Sequence, residues 1–213
     1  MLATSSGELQ TVPSASLDDL DLEKFRAHLS KHIPRLATDE TTDEEAMTRL
    51  RLAGTMGSRF VPTMAGLYLF GSMPQWLAPQ LGVVAARFEG LDITEGVTTR
   101  EHLEGGLEEL VNGAKAFIET HANQVVNQVD PEDGVCEFHP DVVHEALVNA
   151  LVHRDLRASG QVAVRIYPDR LEIFNPGAPS LPNDLAVYTR SGGISLPRNP
   201  VVATFARQMG FVE

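Results

Sequence analysis

The sequence predicts an α+β fold, with helices packed on one face of a mixed sheet. Three observations predict it. Residues 161–168 (QVAVRIYP) and 170–177 (RLEIFNPG) alternate apolar and polar positions on either side of Pro168-Asp169, the pattern of a β-hairpin. Residues 81–90 (LGVVAARFEG) form an apolar run without helical caps, closed by Gly90, which reads as a buried strand. Around these lie segments with helical apolar spacing.

The elements follow in order. Residues 1–18 are rich in Ser, Thr, Gly and Pro and read as a flexible arm or linker remnant. Residues 20–33 place Leu22, Phe25, Leu29 and Ile33 at helical spacing. The acidic stretch 37–45 leads into a short helix over residues 45–53. Thr63 can cap a helix carrying Ala65, Leu67, Leu69 and Phe70, and Gly71 can end it. The apolar segment 67–85, with Trp76, reads as core. Exposure there would mark a protein interface. Residues 103–126 hold the longest helical pattern, with Leu107, Leu110, Val111, Ala114, Phe117 and Ile118 on one stripe. That stripe suits either a core or a dimer contact. Asp130-Pro131 marks a turn, VCEFHP a short strand, and His139-Pro140-Asp141 the opening of a helix. The chain reads as loop from Gly177 to Gly193, and a last helix spans residues 200–209. This divides the chain into an arm (1–18), a helical and strand subdomain (19–130) and a C-terminal region (131–213).

Composition narrows the function. There are 17 Lys and Arg against 29 Asp and Glu, a formal charge of −12. Duplex DNA is gripped by clustered cations that displace counterions, and this chain has no basic run. One Cys in 213 residues excludes an intrachain disulfide and suits a reducing compartment. The start lacks the basic and apolar regions of a secretory signal, so the protein reads as cytoplasmic. His144, Glu145 and Val148 break the His-Glu-x-x-His zinc pattern. No Gly-x-x-x-x-Gly-Lys-Ser/Thr loop is present, which excludes a helicase motor.

The helix after His139 carries a polar strip. At about 100° per residue, Asn149 and His153 lie within about 80° of Glu145, while Val143, Leu147, Ala150 and Leu151 face elsewhere. An amide oxygen at Asn149 suits magnesium, a hard cation that prefers oxygen ligands. Glu145, one turn earlier, can hold an attacking water. The same spacing fits a solvated Glu145, an Asn149 capping a backbone group and a His153 at a helix end. Asn175-Pro176-Gly177 follows a strand. Its amide offers a donor and an acceptor to adenine, and its glycine allows close approach. An ordinary Asn-Pro-Gly turn is the other reading.

The order of polar helix, hairpin and glycine turn resembles the GHKL ATPases, in which a Glu-x-x-x-Asn helix precedes an adenine-binding Asp-x-Gly loop. More closely, EALVNALVHRD, the hairpin ending LEIFNPG, and SLPRNPVVATFARQMGFVE resemble a bacterial family of transcriptional regulators labelled RecG-like helicase-related. FVPTMAGLYLFGS and VVAARFEG also match, so the resemblance covers about residues 45–213. It implies a GHKL-like fold of helices on a mixed sheet. It makes Glu145 the catalytic base, Asn149 the magnesium ligand, and Asn175 and Gly177 the adenine loop. His153 and Arg154 of the HRD run, with Arg198 and Asn199, join the cofactor-binding set. The implied cofactors are ATP and Mg, and the implied activity is weak or no hydrolysis. DNA would be reached through other domains of a parent protein, and a homodimer is compatible. Asn175 departs from the usual aspartate and lacks its charge. The family pattern also has a Schlafen/AlbA-type domain upstream and a Gly-Thr-Gly segment after the last helix, beyond Glu213. The chain therefore reads as a fragment or a reduced copy. The alternative function is an interaction or dimerisation module that kept the fold and lost the nucleotide.

Overall fold

A computed structural model of the chain describes residues 7–126, 139–177 and 197–212. Six helices and six strands lie in them: α1 (Leu22–His32), α2 (Asp43–Arg49), β1 (Ala53–Met56), β2 (Arg59–Pro62), α3 (Met64–Phe70), β3 (Val83–Phe88), β4 (Val97–Leu103), α4 (Leu107–Val126), α5 (Pro140–Val152), β5 (Val162–Ile166), β6 (Leu171–Phe174) and α6 (Pro200–Gln208). The main sheet runs β4-β3-β5-β6, and β1 and β2 form a separate hairpin. β3 pairs antiparallel with β4 and parallel with β5, and β5 pairs antiparallel with β6. The sheet is mixed, as the alternating patterns predict.

α4 lies across β3, β4 and β5 on one face of the sheet, and α5 packs beside it against β6. Val83, Ala85, Val162, Val164 and Ile166 meet Leu107, Leu110, Val111, Ala114, Phe117 and Ile118 in one core. The stripe on α4 is therefore used inside the fold and is not free as a dimer contact. Ala86, Phe88 and Tyr167 form a smaller cluster apart from the main core. Phe88 stacks on Tyr167 at 4.8 Å, and the Arg170 guanidinium lies 3.9 Å from the Tyr167 ring centroid.

The structure corrects several sequence expectations. Residues 7–18 are docked, not a free arm. Val12 N–H donates to Pro62 O at 2.9 Å, Met64 N–H donates to Gln10 O at 2.8 Å, and Ala15 is fully buried. The hydrogen-bonding partners come from β2 and α3, far along the chain, so local composition does not announce them. The proposed division near residue 130 does not separate two cores. β3 from one side pairs with β5 from the other, and one hydrophobic cluster runs from Val12 to Ala206. The short helix begins at Asp43, capped by Thr42, and ends at Arg49. Arg51 then takes a left-handed φ of 62°, which turns the chain into β1. β4 occupies the start of the expected 103–126 helix, and the Gly105-Gly106 pair separates it from α4. Trp76 is 79% exposed, although Leu67, Leu69, Phe70, Leu81, Val83 and Ala85 around it in sequence are buried. The VCEF strand and the loop after Gly177 lie outside the described residues. Among the described residues no helix is long and apolar enough to cross a membrane.

Thr63 caps α3 through Gly66 N–H, and Gly71 ends it, as its sequence predicts. Gly66 sits where α3 crosses the Leu52 backbone; a Cβ there would strike Leu52 O. Tyr68 of α3 donates its hydroxyl to Leu151 O at 3.1 Å, tying α3 to the end of α5. Burial pushes the Tyr68 hydroxyl pKa up to about 12, so it stays a donor at any working pH.

α6 reaches α1 through a ring cluster. His28 is 8% exposed, stacks on Phe205 at 4.9 Å and lies 2.9 Å from Gln208 Oε1 through Nε2. Burial lowers the His28 pKa, and nearby His32 and Lys31 lower it further, outweighing the Gln208 hydrogen bond and the Glu108 charge. The unfolded chain therefore binds this proton near the ordinary pKa of about 6.5, and the folded chain only at lower pH. The resulting stability is present above that value and lost as pH falls through it. The melting temperature is expected to drop between pH 7 and pH 5, and to drop less in His28→Gln. Identical slopes for the two proteins would contradict this.

Candidate functional site

α5 starts at Pro140, whose missing N–H costs nothing at a first helical position. Leu147, Val148, Ala150, Leu151 and Val152 are buried, whereas Glu145, Ala146 and Asn149 are exposed. Asn149 donates through Nδ2 to Glu145 Oε1 at 2.7 Å. Among the described residues nothing engages the Asn149 side-chain oxygen. The strip is an open surface. His153 continues it half-buried as the C-terminal cap residue, its N–H donating to Asn149 O at 3.0 Å. Burial lowers the His153 pKa, and the Arg198 charge adds to this against the opposing Glu145 charge. These effects together favour the neutral form of the His153 ring.

Immediately after α5 the chain meets two other segments. Asp155 N–H donates to Pro176 O at 3.4 Å, and the Asp155 carboxylate pairs with Arg198 at 3.1 Å and Arg157 at 3.4 Å. Burial pushes the Asp155 carboxyl pKa up, but the Arg157 hydrogen bonds and the Arg157 and Arg198 charges outweigh it and hold the value low. Gly177 has a φ of 110°, and a Cβ there would come within 2.9 Å of both Arg198 Nη1 and Asp155 Cβ. Only glycine suits that conformation and approach. Asn175 Oδ1 is buried with no hydrogen-bond partner among the described residues. A buried unpaired acceptor is costly, and a ligand donor would relieve it.

The eight residues singled out from the sequence therefore divide. Glu145, Asn149 and His153 share one strip, and Asn175, Gly177 and Arg198 meet at its lower end. Arg154 and Asn199 are engaged inside the fold. Arg154 is fully buried; its guanidinium donates to Gln80 O, to Gly82 O at 3.4 Å and to Gly160 O at 3.1 Å. Asn199 is 1% exposed and donates through Nδ2 to Val152 O at 2.9 Å and Arg154 O at 2.8 Å. Both were expected at the cofactor. Their side chains instead satisfy backbone carbonyls, which buried amides and guanidinium groups do well. Asp155 had no role assigned from sequence, although it stands in the HRD run. Its partners are 2 and 43 residues away, so the distant one carries no local signal.

Residues 159–213 match the family model HATPase_c_4, described as "Putative ATP-dependent DNA helicase recG C-terminal". The matched segment holds β5, β6, the Asn175 turn and α6. The Glu145 and Asn149 pair on α5 precedes it. No protein with a curated description matches the chain. Among solved structures, the DIP2311 protein from Corynebacterium diphtheriae is 22% identical, with a TM-score of 0.58, over 98% of this chain and 33% of that one. That likeness concerns the fold. The chain spans about a third of the length of that protein.

Proposed function

We propose that this chain is the ATP-binding, GHKL-like part of a bacterial transcriptional regulator, with weak or no hydrolysis. The observation that carries the reading is the convergence at one corner. The end of α5, with its carboxylate–amide strip, meets the Asn175 turn of the RecG-C-terminal segment through the Asp155 N–H to Pro176 O bond. Asn149 would supply a neutral oxygen to magnesium, a hard cation that takes oxygen ligands. The Asn149 side-chain oxygen and Asn175 Oδ1, neither of which has a hydrogen-bond partner among the described residues, fit a metal-bound adenine nucleotide. Glu145 would orient a water as general base. Asn175 would read the adenine edge, and His153, Gly177 and Arg198 would line the passage between base and phosphates. Hydrolysis and a helicase motor are separate matters; without a phosphate loop of the motor type the chain has no motor role. DNA contact and the cytoplasmic regulator role belong to the longer protein, and an acidic surface of net charge −12 supports leaving DNA to other domains.

A second reading is a fold kept for interaction or dimerisation without nucleotide. It is favoured by the Glu145–Asn149 hydrogen bond, which engages both side chains without a ligand. Mg-ATP titration separates the two. A ligand that binds only the folded chain raises its stability by about 2.7 kcal/mol at a hundredfold excess over Kd, a rise of several degrees in Tm. A flat Tm up to millimolar Mg-ATP would favour the second reading.

A further inference from the structure

The cap of α6 is supplied from the opposite end of the chain. α6 opens with Pro200, which has no N–H, so Val201 and Val202 carry the first donors of the helix. Asn199 holds the N-cap position but makes no cap hydrogen bond; its amide is diverted to Val152 O and Arg154 O. Glu8 does the capping instead. Its carboxylate accepts from Val201 N–H at 3.1 and 3.0 Å and from Val202 N–H at 3.1 Å, and Glu8 is 1% exposed. Negative charge at a helix N-terminus is favourable, and buried charge-assisted bonds are the stronger kind. Gly7 rests on Arg157, where a Cβ would come within 2.8 Å of Cγ. The residues flanking this cap are those of the candidate site: Arg198 pairs with Asp155, and Asp155 holds Pro176.

We propose that Glu8 is a positioning residue for the candidate nucleotide site. It fixes the N-terminus of α6 so that Arg198 and Asn199 hold the end of α5 against the Asn175 turn. The N-terminal strap thereby couples whatever moves residues 7–12 to the geometry of that corner. This role rests on the nucleotide reading above, but its mechanical part does not.

The test compares Glu8→Ala and Glu8→Gln with Met47→Ala, a core change in α2 away from the corner. Melting temperature, Mg-ATP affinity and amide hydrogen exchange are measured on each. Glu8→Ala should weaken Mg-ATP about tenfold, the scale of losing charged hydrogen bonds. It should also speed exchange together at residues 153–155, at Gly177 and at residues 201–203. Glu8→Gln, which keeps one acceptor oxygen, should fall between. Met47→Ala should lower the melting temperature yet leave affinity within about twofold, since distant sites act independently. Equal losses of affinity in Glu8→Ala and Met47→Ala, or faster exchange confined to α6, would overturn the proposal. If the unaltered chain shows no Mg-ATP shift, the nucleotide reading falls. The exchange pattern then decides alone whether Glu8 positions the corner.

Discussion

Arg154→Ala is expected to destabilise the chain by about 3–5 kcal/mol, the combined cost of a core cavity and of buried carbonyls left without donors. For a chain of this size that is a fall of roughly 10 °C in melting temperature. Arg154 is fully buried and donates to three carbonyls, on Gln80, Gly82 and Gly160. It thereby joins the segment before β3 to the segment before β5, the two strands whose parallel pairing builds the sheet. Its guanidinium also lies 5.8 Å from the Tyr68 ring centroid. Alanine removes these donors and leaves a cavity. Two comparisons locate the cost. Arg154→Met restores most of the volume but no donor, and should remain strongly destabilised. Arg154→Lys keeps the charge but not the planar fork, and should recover part. Thermal and urea unfolding check the series. A loss below about 1 kcal/mol in Arg154→Ala would mean that water satisfies the carbonyls, and would sink this account.

Asn149→Ala is expected to abolish the Mg-ATP-dependent rise in melting temperature while leaving the unliganded value nearly unchanged. The side chain is exposed and its hydrogen bond to Glu145 joins two exposed groups, a contact worth a few tenths of a kcal/mol. The whole stabilisation by ligand, about 2.7 kcal/mol at hundredfold saturation, would disappear. Glu145→Gln should keep the rise and reduce any turnover by about two to four orders of magnitude, the range of a lost general base. Scanning calorimetry with and without Mg-ATP, beside phosphate release, measures both. Equal loss of binding from the two substitutions would contradict the separate roles of amide and carboxylate.

Much of the architecture was legible locally. The Thr63 cap, Gly71 stop, Pro140 start and alternation around Pro168-Asp169 each follow from one residue's own backbone or hydrogen-bonding preference, and each predicted an element found in the structure. The exposed strip of Glu145 and Asn149 followed from helical spacing alone. The opposite outcome at residues 97–103 is instructive. This strand is exposed along most of its length, so it carries no apolar alternation, and it is a strand because β3 offers it a partner.

The sequence by itself determined the periods, caps and turns, because these depend on residues within a few positions of one another. Tertiary structure alone decided which polar side chains remain available for chemistry. Arg154 and Asn199 lie in the same motifs as His153 and Arg198. Their fate depends on carbonyls 72, 74 and 45 residues away, and no short-range pattern records that geometry. Glu8 shows the same limit in reverse: in a segment composed like a linker, it becomes a buried cap because it accepts from an amide 193 residues later.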